Sequence, residues 1–112
     1  MLAVSVGLFT VVALIGLVLT RDVFRRKVPS GIMRYLHVCL ATVGSLLVIF
    51  RAFTGDHRLF VNIGLAVAII ALGLLIWRQR ATGARPRMTV FMHGGIAVAC
   101  YILLAYFTFT PQ

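Results

Sequence analysis

The sequence predicts an all-α membrane protein: a four-transmembrane-helix bundle built from two parallel two-helix repeats. Three observations point there. Apolar residues make up 62% of the chain and charged residues 12%, whereas a water-soluble domain is roughly 45–50% apolar and about 25% charged. The apolar residues fall into four blocks separated by charge, each close to the roughly 20 residues that a hydrocarbon core about 30 Å thick demands of a helix. The chain also matches itself when shifted by 57 residues. A single domain over residues 1–112 follows, with helices at about 2–20, 31–51, 59–77 and 88–109.

The first block, Leu2–Thr20, is nineteen residues without an ionisable group. Its small residues Gly7, Ala13 and Gly16 permit close packing, because helices in lipid associate through backbone approach rather than a hydrophobic drive. Nothing basic precedes the block and no small-residue cleavage site ends it, so it is expected to stay attached rather than act as a signal peptide. A basic loop follows, in which Asp22 is a local partner for the arginines. Pro29 disfavours helix at Val28, and Ser30 is placed to cap the next helix. The charge-free part of the second block, Tyr35–Phe50, is only sixteen residues. Its helix is therefore expected to begin near Gly31, with Arg34 snorkelling to the headgroups.

Thr54-Gly55-Asp56 reads as a turn, with Asp56 positioned to cap the third helix and His57 solvated beside it. The third block, Leu59–Trp77, contains Asn62, expected to bond to a neighbouring helix, and the small-residue ridge Gly64, Ala68 and Ala71. Trp77 suits the membrane interface. After a second basic loop, Met88–Phe109 carries His93 and ends in an aromatic cuff of Tyr106, Phe107 and Phe109. Gly94 and Gly95 beside His93 suggest close approach by backbone or ligand.

The net charge of +9 would suit nucleic acid, but its placement argues for a membrane instead. Nine of the eleven cations occupy two loops on one side: Arg21, Arg25, Arg26, Lys27 and Arg34, then Arg78, Arg80, Arg85 and Arg87. Only Arg51 and Arg58 lie on the other. This positive-inside asymmetry predicts an integral inner-membrane protein with both termini outside and both basic loops cytoplasmic. The expected partners are anionic lipid headgroups and other membrane subunits or further copies of the chain, not nucleic acid. Cys39 and Cys100 lie inside apolar blocks, without CxxC, haem-attachment or zinc spacing, and read as buried thiols.

At the 57-residue shift there are eleven identities in 55 pairs, among them Gly7 with Gly64, Gly16 with Gly73, Arg21 with Arg78 and Pro29 with Pro86. Two helices per half make the halves parallel, related by an axis along the membrane normal. His37 lies eight residues past Pro29 and His93 seven past Pro86. The two imidazoles are thus expected at nearly one depth, one residue out of strict register.

His37, Ala41, Gly44 and Val48 share one helix face, and His93, Ala97, Cys100 and Leu104 repeat the same offsets. Two histidines inside a helical bundle, each beside a stripe of small residues, suit the axial ligands of one b-type haem. Arg34, Arg87 and Lys27 lie near enough to meet its propionates. The layout of these two helices is similar in plan to a membrane cytochrome b. With a single histidine pair it departs from that plan, implying at most one haem. The function expected is an electron-transfer or redox-accessory subunit.

Other readings stand beside this one. The histidines suit an ordinary interfacial role, bonded to water, lipid phosphate or a neighbouring helix. A copper(I) site would add Met33, Met88 and Met92 to His37 and His93. A cofactor-free structural or assembly subunit fits equally. A small transporter fits less well, because no acid lies within an apolar block and the charge bias fixes one orientation. No phosphate loop, nucleophile elbow or paired carboxylate is present, so an enzyme acting on its own is not expected.

Overall fold

Four helices account for nearly the whole chain in the computed structural model, which describes every residue except Pro29. They are α1 (Leu2–Phe24), α2 (Gly31–Thr54), α3 (Phe60–Ala81) and α4 (Arg87–Phe109), with one 3-10 turn at His57–Leu59 leading into α3. All four are long and apolar enough to cross a membrane. α2 begins at Gly31 as expected, and the Ser30 hydroxyl accepts a hydrogen bond from the Met33 N–H at 3.5 Å. The expected break at Pro29 lies outside the described residues. α1 and α3 run a turn past their apolar blocks, so Arg21, Arg78 and Arg80 are helical. Long cationic side chains reach the interface while the backbone keeps its helical bonds.

α1 packs on α2 and α4, and α3 packs on α4 and α2, while among the described residues the backbones of the diagonal pairs do not approach each other. The result is a cyclic bundle of 45 × 21 × 18 Å. Its tightest packing lies at the end holding both termini. There Val48, Ala52, Leu59 and Leu104 are buried against Leu2, Val6, Phe9, Ile63 and Phe107. Large apolar side chains such as Leu17 and Leu74 are more than 60% exposed, which is the lipid-facing surface expected of a spanning bundle.

At the terminal end Arg58 ties the α2–α3 connection to α4. Its guanidinium donates to the Phe107 and Thr110 carbonyls at 3.0 and 3.2 Å, to Thr110 Oγ1 at 3.2 Å and to the Pro111 carbonyl at 3.4 Å. These bonds satisfy carbonyls that the end of α4 leaves without helical partners. The expectation that Asp56 caps the third helix is corrected here. Its side chain makes no cap bond and instead accepts two bonds from Arg58, each 2.9 Å. The intervening 3-10 turn moves the start of α3 to Phe60, and a guanidinium two residues away offers the carboxylate a better partner than a backbone N–H. On the opposite side Asp22 lies 3.9 Å from Arg21, the local partnership expected.

Several contacts recur in both hairpins. Ser5 Oγ donates to the Gly44 carbonyl at 3.4 Å, and Asn62 Nδ2 donates to the Cys100 carbonyl at 3.0 Å. Asn62 thus bonds to a neighbouring helix, as expected. α1 ends with Lys27 N–H bonded to the Asp22 carbonyl and Arg26 N–H to that of Val23; α3 ends with Ala84 on Gln79 and Gly83 on Arg80. Both are Schellman ends. The odd helices superpose at 57 residues and the even ones at 56, because the second loop is one residue shorter. The identities of Leu46, Leu47 and Phe50 at the 57-residue shift are therefore not positional equivalents. Val48 and Leu104, both buried in the core, are.

Candidate functional site

The repeat places its two histidines opposite each other. His37 on α2 and His93 on α4 each lie seven residues past the cap of their helix, Ser30 and Pro86, about 10 Å in from the loop end at 1.5 Å per residue. The apparent one-residue mismatch between them disappears with the shorter second loop. Both rings are half-buried. Their centroids are 6.4 Å apart with an interplanar angle of 46°, although α2 and α4 make no backbone approach. The imidazoles meet across the interior.

Each ring is fixed by its own hairpin partner. His37 Nδ1 lies 3.1 Å from the Val12 carbonyl of α1, and His93 Nδ1 lies 2.8 Å from the Ile69 carbonyl of α3. A carbonyl can only accept, so Nδ1 carries the hydrogen in both rings, and in the neutral imidazole Nε2 keeps its lone pair. Nε2 makes no hydrogen bond with any described residue. One turn further along the partner helix, each ring edge rests on a glycine. A Cβ at Gly16 would lie 3.2 Å from His37 Cε1, and one at Gly73 would lie 3.2 Å from His93 Cε1. Orientation by a carbonyl on one nitrogen, with the other left free, is how proteins present a histidine to a metal.

Two imidazole nitrogens are the donors that the bundle interior would offer to a metal ion. Bonds of about 2 Å from each nitrogen would put the two ring centroids roughly 6 Å apart, close to the 6.4 Å found. Among the described residues no cluster of three or more His, Cys, Asp or Glu is assembled. A tetrahedral zinc site therefore lacks ligands, whereas a haem iron draws its remaining four from the porphyrin. Met88 and Met92 are 72% and 50% exposed, on the outside of the bundle, so they add little to a copper site.

The other expected residues divide. Arg34 and Lys27 line a cavity of about 600 Å³ between the two basic loops. Arg87 does not line it; its guanidinium lies 5.9 Å over the Phe24 ring. His57 is exposed and stacked on Phe60 at 5.9 Å, and takes no part in the site. The stripe beside His37 is not left open, because Phe9 packs where a Gly44 Cβ would be, at 3.0 Å. The close approach by backbone expected at Gly94 and Gly95 is corrected: an added Cβ meets no protein atom within 4 Å at either. The glycines that matter are Gly16 and Gly73, on the helices that carry no histidine. Their pairing at the 57-residue shift was the available signal. The Val12 and Ile69 carbonyls left none, because a backbone acceptor has no residue identity. Comparison with protein-family models, curated proteins and solved structures returned no match for the chain.

Proposed function

We propose that this protein is a small membrane electron carrier or redox-accessory subunit in which His37 and His93 are the axial ligands of one b-type haem. The observation that carries this reading is the symmetric pair of imidazoles at 6.4 Å, each presenting a free Nε2 and each held through Nδ1 by a backbone carbonyl. Such a haem supplies reversible one-electron transfer when bound. The chain does the rest. Val12 and Ile69 set the tautomer and angle of the two rings. Gly16 and Gly73 allow the rings close to the neighbouring backbone. Arg34, three residues nearer the loops than His37, and Lys27 are the cations placed for propionates. Arg87 reaches them only by leaving the Phe24 ring.

An absorption spectrum of the purified protein in detergent tests this. A Soret band is expected, and it should vanish when His37 and His93 are both changed to Ala. A protein without the band, or a band that survives both changes, overturns the reading. The second reading is a cofactor-free structural or assembly subunit. It is favoured by Phe9 already packing at Gly44 and by the imidazoles already packing against Gly16 and Gly73. It predicts a colourless protein that co-purifies with other membrane subunits or with itself.

The orientation proposed has the basic loops in the cytoplasm and both termini outside, supported by the nine-to-two division of cations. A reporter fused after Gln112 is expected to be active only outside the inner membrane. Activity in the cytoplasm would reverse the assignment.

A further inference from the structure

We propose that the cavity between the two basic loops is a binding site for a phosphate-bearing anion, either the headgroup of an acidic phospholipid or a soluble phosphate ester. The proposal does not require a haem: the cavity shares Lys27 and Arg34 with the propionate contacts proposed above, and Arg26, Arg80 and Arg85 line it besides them. The cavity is about 600 Å³, inside the roughly 300–1,000 Å³ range of small-ligand sites. Arg26, Lys27, Arg34, Arg80, Arg85 and Trp77 are among the residues lining it, and no acidic residue is. The one carboxylate on this side, Asp22, is beside Arg21.

The walls are built rather than incidental. Arg80 donates to the Lys27 carbonyl at 2.8 Å, and Arg85 donates to the Val23 and Phe24 carbonyls at the end of α1. The second loop is thereby fastened to the first with the guanidinium charges retained. Desolvation, then repulsion from Arg87 and Arg26, holds the Arg85 guanidinium below its ordinary pKa. Like charges gathered without a counter-ion are what a bound anion would relieve.

Arg26 supplies a second, independent observation. Its φ is +55°, while the equivalent position of the other repeat is Gly83 at φ +81°. A left-handed conformation is unfavourable for a non-glycine residue, because its Cβ crowds the following carbonyl. The first repeat therefore puts a long cation where the backbone favours glycine, and the side chain lines the cavity. The left-handed backbone is that of the Schellman end of α1, and it leaves the Arg26 side chain lining the cavity. Phosphate is the anion indicated, because four arginines and a lysine line one cavity and it lies at the helix ends, where lipid phosphates sit.

Trp77 is the single tryptophan of the chain and lines the cavity, so its fluorescence reports occupancy. The full-length protein in zwitterionic detergent would be titrated with short-chain phosphatidylglycerol, with phosphatidylcholine as control, and separately with inorganic phosphate. A saturable change is expected with phosphatidylglycerol, inorganic phosphate or both. Binding should weaken at least tenfold in the R26N/K27Q variant, in which Asn tolerates the left-handed backbone and an unchanged unfolding midpoint checks the fold. Saturation by phosphatidylglycerol alone assigns a lipid headgroup, and saturation by inorganic phosphate assigns a soluble ester. No saturable response to either, an equal response to phosphatidylcholine, or undiminished binding in a folded R26N/K27Q variant would overturn the proposal.

Discussion

Arg58→Ala is expected to lower the unfolding midpoint in detergent by roughly 5–10 °C, since several charge-assisted hydrogen bonds are lost together. Two consequences follow from one substitution. The carbonyls at the end of α4 lose the donors that satisfied them, and Asp56, only 2% exposed, keeps a buried carboxylate without its partner. Arg58 also lies 4.8 Å over the Phe107 ring, so its removal loosens an aromatic side chain packed against the core. The effect should carry a pH signature. The Arg58 guanidinium hydrogen-bonded to Asp56 holds its carboxyl below the ordinary carboxylate range; burial opposes this, and Arg51 adds a further pull downwards. A carboxyl depressed in the folded state stabilises the fold above its unfolded pKa of about 3.9. That contribution is lost as pH falls from there through the folded value. The wild-type midpoint should therefore drop below about pH 4, whereas Asp56→Asn should start lower and vary less over the same window. Thermal unfolding of the three proteins between pH 7 and pH 3 measures both effects. Equal acid sensitivity in wild type and Asp56→Asn would remove the Asp56–Arg58 pair from the account.

Much of this architecture was legible because the bilayer imposes a length and a polarity on each helix. Gly31 as the start of α2 followed from the shortness of the charge-free stretch Tyr35–Phe50, and the structure keeps it. The ends of α1 and α3 were not legible, because apolar length marks where lipid stops rather than where helical hydrogen bonding stops. The histidine pair was visible through the repeat. Its register was not, since the second loop (residues 82–86) is one residue shorter than the first (residues 25–30), which shifts the even helices while the odd ones keep theirs. Asp56 was misjudged for a related reason. A turn residue before a helix resembles a cap in sequence, and only the three-dimensional path shows that Arg58 reaches it first. Gly94-Gly95 looked like the place of close approach because it adjoins His93 in sequence. Contact across a bundle is made by the facing helix instead, which is where Gly16 and Gly73 lie.

Replacing Gly16 or Gly73 with valine is expected to dislodge the facing imidazole. The two sites are already at the limit for a single methyl group, with 3.2 Å to Cε1 and 3.7 or 3.6 Å to Nδ1 of the respective histidine. The ring has no easy retreat, because moving away from the glycine stretches its hydrogen bond to the Val12 or Ile69 carbonyl one turn earlier on the same helix. Alanine therefore sets two effects against each other: about 1 kcal/mol of helix propensity gained against a forced displacement of a few tenths of an ångström. Valine adds bulk that the site has no room for, and overpacking of this kind costs about 1–3 kcal/mol. Gly7 and Gly64 are the matched controls, being related by the same repeat with nothing within 4 Å of an added Cβ. Valine there should leave the stability within about 0.5 kcal/mol of wild type, as for a surface change away from any contact. The readout specific to the histidines is the Nδ1 proton: its slow solvent exchange by NMR should be lost for His37 in Gly16→Val and for His93 in Gly73→Val, each without the other. If a haem is bound, the same variants should lose or shift the Soret band, and the Gly7 and Gly64 variants should not. Retention of both protected protons in Gly16→Val and Gly73→Val would mean that the imidazoles are held by something other than the glycine and carbonyl pairs described here.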